Sequence, residues 1–395
     1  MSEKLKEDNE ITLAICAPGG KDKDFKKAEY GGITYYLLPC DCFKNNRWDG
    51  ILDDFRPDVI HAYGSEMPHN YLLAKNCGDI PLLVSLQGIL TQYQRHYYGG
   101  IDVSEIIRYT TIRDILKRDG VLAGRKSFRR MAEHERKLLS LAKFAEGRST
   151  WDKVSALDIN PGLQYFYCPR MIRLPFYNKI WSVEKIKRHS IFVHQGNYPI
   201  KGLHFVLEAL KKLKQKYPDA MLYVAGNDIF TPKSFKNKLF PSGYVKYLNT
   251  LIDKYGLREN ITFTGFLDAE KLSSFLLEMN AVVIPSSIEN APNSLAEAML
   301  EGVPCVASFV GGNMDMLKHG EEGFLYCYNE PNMLAEYLTR IFESDGLASF
   351  FSDKARSASL LRHDREKLKS TLVGIYKSVI DSSRGASKSE EAKVL

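Results

Sequence analysis

The stretch from Ala281 to Ser308 constrains the fold more than any other part of the chain. Ala281-Val-Val-Ile-Pro285 reads as a buried strand, a polar turn follows, and a short helix is stopped by Gly302. Residues 303–307 then read as the next strand. Such a strand–loop–helix–strand unit belongs to a parallel α/β sheet, which gathers ligands outside the carboxyl ends of its strands. Two carboxylates, Glu289 and Glu297, flank the turn. The backbone N–H groups of Asn293, Ser294 and Leu295 at the helix start form an anion site suited to a diphosphate. Glu297 then lies within reach of neutral hydroxyls, and Glu289 faces a sugar. The same residues also fit a structural alternative. Ser294 and Glu297 match the Ser-x-x-Glu capping box, in which each side chain satisfies a backbone donor of the other. On that alternative Glu289 is an ordinary loop acid.

The rest of the chain bears on that choice. A length of 395 residues suits two α/β domains, because single cores stop growing near ~250–300 residues. With 44% apolar and 26% charged residues the composition is that of a globular protein, and a net charge of +6 gives no argument for nucleic acid. No apolar run approaches the ~20 residues of a membrane helix, and the start, Met1-Ser-Glu-Lys-Leu-Lys-Glu, does not read as a signal peptide. The seven cysteines sit mostly in apolar segments, as at Cys16, Cys77 and Cys305, and are expected to be reduced in a cytoplasmic protein. Cys40 and Cys42 have no second pair or histidine cluster near them, so no zinc site is expected.

Both halves alternate short apolar runs with helical patterns, which predicts parallel sheets. In the first half, strands are expected at 11–17, 33–38, 59–62, 82–86 and 144–147, with helices at 48–55, 68–76, 104–118, 126–141 and 151–157. In the second half, 191–195 opens the series, followed by a helix at 202–216 carrying Leu203, Val206, Leu207, Leu210 and Leu213 at helical spacing. Further strands are expected at 221–225, 261–264, 281–285 and 303–307, and 173–190 reads as the linker between domains. The polar tail 382–395 is expected to be disordered.

Gly196-Asn-Tyr-Pro-Ile-Lys-Gly202 lies at a strand-to-helix turn, where Lys201 offers a compact charge to a phosphate. Its weight comes from order: Lys201, then Ile261-Thr-Phe-Thr-Gly-Phe-Leu267, then Glu289, Glu297 and Val310-Gly-Gly312. With that series the chain resembles the retaining glycosyltransferases of family 4, the group-1 class with the GT-B fold of two facing Rossmann-like domains. The resemblance is most specific over 191–326. It implies an N-terminal acceptor domain, 1–175, completed by a returning helix at 363–381, and a C-terminal donor domain, 176–362. It also implies roles. Lys201 resembles the lysine of the donor diphosphate, Gly265, Phe266 and Leu267 the loop along the nucleobase, and Glu289 the first acid of the Glu-x7-Glu motif near the donor sugar. Asn293, Ser294 and Leu295 match the turn that meets the phosphates, and Glu297 the acid that grips the ribose. The implied reaction is front-face transfer with retention, with no cofactor and no metal, the leaving diphosphate being stabilised by Lys201 and helix-end amides. Where many relatives carry an arginine after the first glycine of this turn, this chain has Asn197, a neutral donor.

In the first half, His61, Glu66 and His69 follow one strand, Leu86-Gln-Gly88 ends another and Gly147-Arg-Ser-Thr-Trp-Asp152 a third. These segments resemble a branch associated with bacterial surface and capsular polysaccharides, which implies a sugar or acceptor cleft at His61, Glu66, Gln87, Arg148 and Asp152. Structural alternatives stand beside each. His61 fits a core histidine, and Arg148 and Asp152 fit a pair across one helical turn. Relatives usually begin with a strand, a Gly-Gly loop and a helix. Here Pro18-Gly-Gly20 is followed by only a short charged stretch before the strand at Ile33, too little for a parallel crossover. The first domain is therefore expected to lack that unit. The basic stretch 113–143 is either a face resting on anionic lipid, suiting a lipid-linked acceptor, or a solvated helix face.

The sequence thus predicts a cytoplasmic protein at the cytoplasmic side of the inner membrane. It would move a sugar from a nucleotide diphosphate sugar to a glycan or lipid-linked acceptor and would bind no nucleic acid. The alternatives are a non-catalytic relative that binds nucleotide sugar and a GT-B nucleotide-sugar epimerase.

Overall fold

The computed structural model describes residues 1–8, 10–20, 24–39, 48–226, 228 and 241–391. The chain divides into two compact units. Unit 1 comprises Met1–Thr91, Arg130–Met171 and Asp364–Leu395, and unit 2 comprises Gln92–Arg129 and Ile172–His363. This corrects the expected boundaries, because Gln92–Arg129 belongs to unit 2 and not to the first half. Close backbone approach is the reason. Gly99 adopts a positive φ of 60° where a Cβ would stand 2.2 Å from the Pro199 carbonyl oxygen, and His204 Nε2 lies 2.9 Å from the Gly99 carbonyl oxygen. Ile101 and Ile106 enter the unit 2 core. No periodicity within the segment carries that information.

Unit 1 holds two sheets. Strands β1 (Ala14–Gly20), β2 (Lys26–Tyr30) and β3 (Ile33–Pro39) are ordered β1-β3-β2, with β1 parallel and β2 antiparallel to β3. Strands β4 (Ile60–Tyr63), β5 (Leu82–Ser85), β6 (Phe144–Gly147) and β7 (Gln164–Tyr167) form a parallel sheet in chain order. Pro18-Gly-Gly20 thus ends a strand, and the described residues between Gly20 and Gly31 hold a hairpin strand where a crossover helix would stand. The Cys40 and Cys42 pair lies outside the described residues. Among the described residues β1 pairs only with β3 and β4 only with β5. A cavity of about 1020 Å³ has residues 14–17 of β1 and all of β4 in its wall.

The final helix, Arg365–Glu391, buries Leu372, Ile375 and Val379 against Leu5, Leu83, Phe144 and Cys168 of unit 1. It runs ten residues beyond the expected end at 381, so the tail expected to be disordered is helical as far as Glu391. Polar composition predicts a missing core contact, and one glycine costs a helix only ~1 kcal/mol, so neither stops it.

Unit 2 is built on one parallel sheet. Its strands are β8 (Lys187–Val193), β9 (Met221–Ala225), β10 (Ile261–Gly265), β11 (Met279–Ile284), β12 (Cys305–Ser308) and β13 (Phe324–Tyr326), in the order β10-β9-β8-β11-β12-β13. The helices Leu203–Lys216 and Asn293–Glu301 pack their apolar residues into its core. The helix expected at 104–118 is two helices, Val103–Tyr109 and Ile112–Lys117. The break follows from two threonines. The Thr110 hydroxyl bonds back to the Ile106 carbonyl at 2.7 Å, and Thr111 caps the second helix through Asp114.

Candidate functional site

Strand order in unit 2 reverses between the neighbours β8 and β11, since the chain moves outward to β10 and then returns to the other side. At such a switch point the loops leaving the two strands part around a crevice. The loop after β8 makes a 3-10 turn, Pro199–Lys201, and then Gly202 at φ 67°. A Cβ at Gly202 would stand 2.0 Å from the Pro285 carbonyl oxygen, so glycine is what lets the two loops touch. The Ser287 N–H donates to the Ile200 carbonyl at 2.8 Å and joins them further.

That contact brings Lys201 Nζ onto Glu289 Oε1 as a partly buried ion pair. The same oxygen accepts from Ser286 Oγ at 2.7 Å. The Tyr93 hydroxyl accepts from the Asn290 N–H at 3.0 Å and lies 3.5 Å from Glu289 Oε2. From the far side, the Glu289 carbonyl takes the Gly312 N–H at 3.1 Å, and a Cβ at Gly311 would stand 1.9 Å from it. The two glycines after β12 therefore hold the backbone of Glu289. Burial works against the Lys201 charge, but facing Glu289 and Tyr198 its pKa ends above the usual lysine range.

The capping-box alternative is not what the chain forms. The helix Asn293–Glu301 starts after Pro292 with no side-chain cap. Glu297 is buried and engages Arg173, whose Nε and Nη2 donate to Oε1 at 3.0 and 2.8 Å. Its other oxygen, Oε2, lies 3.8 Å from His194 Nε2. Burial raises the Glu297 pKa and Arg173 opposes the rise. Burial, with Arg173 and then Lys201 nearby, holds His194 below its ordinary value, so the imidazole between the two acid pairs is kept neutral. The expectation of three free amides at the helix start is corrected to two, because the Leu295 N–H bonds to the Pro292 carbonyl at 3.1 Å. Asn293 and Ser294 remain at the first turn. Asn197 is exposed on the loop after β8. Gly265 has φ 75° and accepts from the Gly226 N–H at 3.0 Å, Phe266 is 92% exposed, and Leu267 packs against the core.

The unit 1 candidates fall into separate groups. Gln87 Oε1 accepts from Arg148 Nη2 at 2.8 Å, which joins the ends of β5 and β6. Asp152 is corrected from a cleft residue to a structural one. It is fully buried, accepts from the Arg148 and Ser149 N–H groups, and takes the Tyr165 hydroxyl at 2.6 Å. His61 Nδ1 lies 2.9 Å from the Tyr376 hydroxyl and Nε2 lies 3.5 Å from buried Glu146, which Arg170 also faces at 3.5 Å. Burial raises the Glu66 pKa. Arg173, His194 and Tyr93 escaped the sequence reading. Arg173 stands 124 positions from Glu297, and only the fold makes them neighbours.

These features can be compared with known proteins. Residues 178–358 match the family model for glycosyl transferases group 1. That span resembles a group 1 glycosyltransferase domain and holds the Lys201, Glu289 and Glu297 positions. Among curated relatives, the putative glycosyltransferase YtcC of Bacillus subtilis is 32% identical over 183 residues, covering 46% of this chain and 42% of YtcC. The chain spans less than half the length of the first curated relatives it matches. Among solved structures, sucrose-phosphate synthase from Thermosynechococcus elongatus superposes with a TM-score of 0.70 at 16% identity, over 94% of this chain and 90% of that one. Anabaena Alr3699/HepE in complex with UDP gives 0.63 at 18% identity, over 88% and 86%. The fold is α/β with parallel sheets, of the GT-B kind. Among the described residues no helix is long and apolar enough to cross a membrane, and no three His, Cys, Asp or Glu side chains are grouped to hold a metal ion.

Proposed function

We propose that the protein is a retaining glycosyltransferase that takes a nucleoside diphosphate sugar as donor. The observation that carries this reading is the meeting of Lys201 with Glu289, and of Arg173 with Glu297, at the switch point of the unit 2 sheet. In this reading Glu297 Oε2, left free by Arg173, accepts the ribose hydroxyls. The diphosphate lies against the Asn293 and Ser294 amides, and Lys201 exchanges Glu289 for the phosphate charge. Glu289, held by Ser286 and the Gly311–Gly312 backbone, faces the donor sugar. The nucleobase lies along Gly265, Phe266 and Leu267, with Asn197 donating a neutral hydrogen bond to the diphosphate. As a cation at the leaving group, Lys201 supplies the charge stabilisation that a metal would otherwise provide. A protein of the same fold was solved in complex with UDP, which supports a nucleotide ligand.

The acceptor is a glycan or lipid-linked saccharide in surface polysaccharide assembly, handled by unit 1 through Gln87, Arg148, His61 and Glu66 at the cytoplasmic side of the inner membrane. The likeness of the Leu-Gln-Gly and Gly-Arg-Ser-Thr-Trp segments to that branch supports it. The test is product analysis with nucleoside diphosphate sugars and lipid-linked or soluble saccharide acceptors. Transfer with the anomeric configuration kept, lost in Glu289→Ala, is the expected result. An altered nucleotide sugar formed with no acceptor present would make the protein an epimerase instead. Donor binding without any product would make it a non-catalytic relative.

A further inference from the structure

The helix Ile112–Lys117 is inside out. Its buried side chain is an aspartate, Asp114 at 5% exposure, while Ile112, Ile115 and Leu116 are 75%, 66% and 78% exposed. Spacings of three and four put these three on one face. The inversion is held in place and is not fraying. Asp114 Oδ2 accepts from the Thr111 N–H at 3.1 Å and the Gly243 N–H at 2.8 Å. Glycine is needed on both sides of it, since a Cβ at Gly120 or Gly243 would stand 2.6 Å from Asp114 atoms. The preceding helix, Val103–Tyr109, repeats the pattern in milder form: Ile106 is buried, while Val103 and Ile107, four apart, are 51% and 61% exposed. Scattered exposed aliphatics are ordinary, but two consecutive helices built to hold apolar stripes toward water mark a contact surface.

Charge says what the surface contacts. Lys117 and Arg118 follow the stripe directly, are exposed, and make no ion pair among the described residues. The acids nearby are already spent: Asp119 on Arg113 in a two-pronged pair at 2.9 Å, and Glu105 on Arg108 at 3.3 Å. Arg125, Lys126 and Arg129 continue the exposed basic run along the next helix. An apolar wedge bordered by uncompensated cations suits a bilayer surface rich in anionic headgroups, where the aliphatic tips enter the acyl boundary and the cations stay at headgroup level.

We propose that the Val103–Arg118 surface docks the protein onto an anionic lipid bilayer, with Ile107, Ile112, Ile115 and Leu116 as the inserted tips. This deepens, and rests on, the membrane-side part of the function proposed above. The test is co-sedimentation of the full chain with vesicles of phosphatidylcholine alone and of phosphatidylcholine with phosphatidylglycerol. Wild type is expected on the anionic vesicles only, released by salt. Ile115→Ser with Leu116→Ser is expected to weaken binding by about tenfold or more, and Lys117→Gln with Arg118→Gln by about tenfold while blunting the salt effect. Nucleotide binding stays unchanged in both, because none of these residues belongs to the unit 2 site. Equal sedimentation of variants and wild type, or none on either vesicle, would overturn the proposal. So would a wild-type dimer in light scattering that the Ser variants abolish, which would make the surface an interface between copies. Loss of nucleotide binding with vesicle binding intact would count against the donor-site reading alone.

Discussion

Arg173 gives the sharpest quantitative expectation. Its Nε and Nη2 both donate to Glu297 Oε1, and its guanidinium sits 5.1 Å over the Phe176 ring. Hydrogen bonds to a charged group contribute ~1.5–3 kcal/mol, and removing one partner of a fully buried pair costs ~3–5 kcal/mol. The Arg173 side chain is about half exposed, so water screens it and the lower end applies, about 2 kcal/mol. Burial already raises the Glu297 pKa, and the charges that face it are Arg173, neutral His194 and, one turn on, Glu301. Without Arg173 the pKa moves further up, so the carboxylate is lost at a higher pH than in wild type. Arg173→Ala is therefore expected to weaken nucleoside diphosphate binding by about tenfold near pH 6 and much less near pH 8.5. Wild type should lose less toward acid pH, and Arg173→Lys should recover part of the loss. Isothermal calorimetry across pH is the assay. Tighter binding by Arg173→Ala would show that the arginine competes with the nucleotide, and an unchanged pH profile would show that it does not tune Glu297.

Three other residues carry stability expectations. Glu301 is fully buried, and burial pushes its pKa up to about 8. Its charged form is the costly one in the folded state, so stability falls as pH rises from about 4.5 through 8. Glu301→Gln should raise the melting temperature at pH 8 and give little gain at pH 5. Asp152→Ala strips acceptors from two backbone N–H groups and the Tyr165 hydroxyl, and should cost about 2–4 kcal/mol in chemical denaturation. Gly202→Ala forces a Cβ toward the Pro285 carbonyl oxygen at a positive φ, so it should separate the two loops and abolish nucleotide binding in calorimetry even where the fold survives by circular dichroism.

Unit 2 was largely legible because its strands are buried on both faces and read as continuous apolar runs, as at 191–193 and 281–284. The order of Lys201, Glu289 and Glu297 could be read for the same reason, since each follows a strand that announces itself. Strand β2 was not legible: all five of its residues are exposed, and it exists only through pairing with β3. Residues 104–118 showed helical spacing, but the break at Thr110–Thr111 depends on hydroxyl bonds that periodicity does not register. Asp152 looked like a cleft acid because a capping aspartate and a ligand-facing one share the same local pattern, and only burial separates them. Arg173 lay in a stretch read as linker, where its charge had no partner in sequence.

The central claim is that the crevice between β8 and β11 is a nucleoside diphosphate sugar site, and calorimetry tests it most directly. Wild type, Lys201→Ala and Glu297→Ala would be titrated with uridine, guanosine, adenosine and thymidine diphosphate sugars and with the matching nucleosides. The account predicts that one nucleotide binds, that Glu297→Ala weakens sugar nucleotide and nucleoside alike, and that Lys201→Ala weakens only the diphosphate form. Absence of binding by every nucleotide, or equal losses for nucleoside and diphosphate in Lys201→Ala, would contradict it.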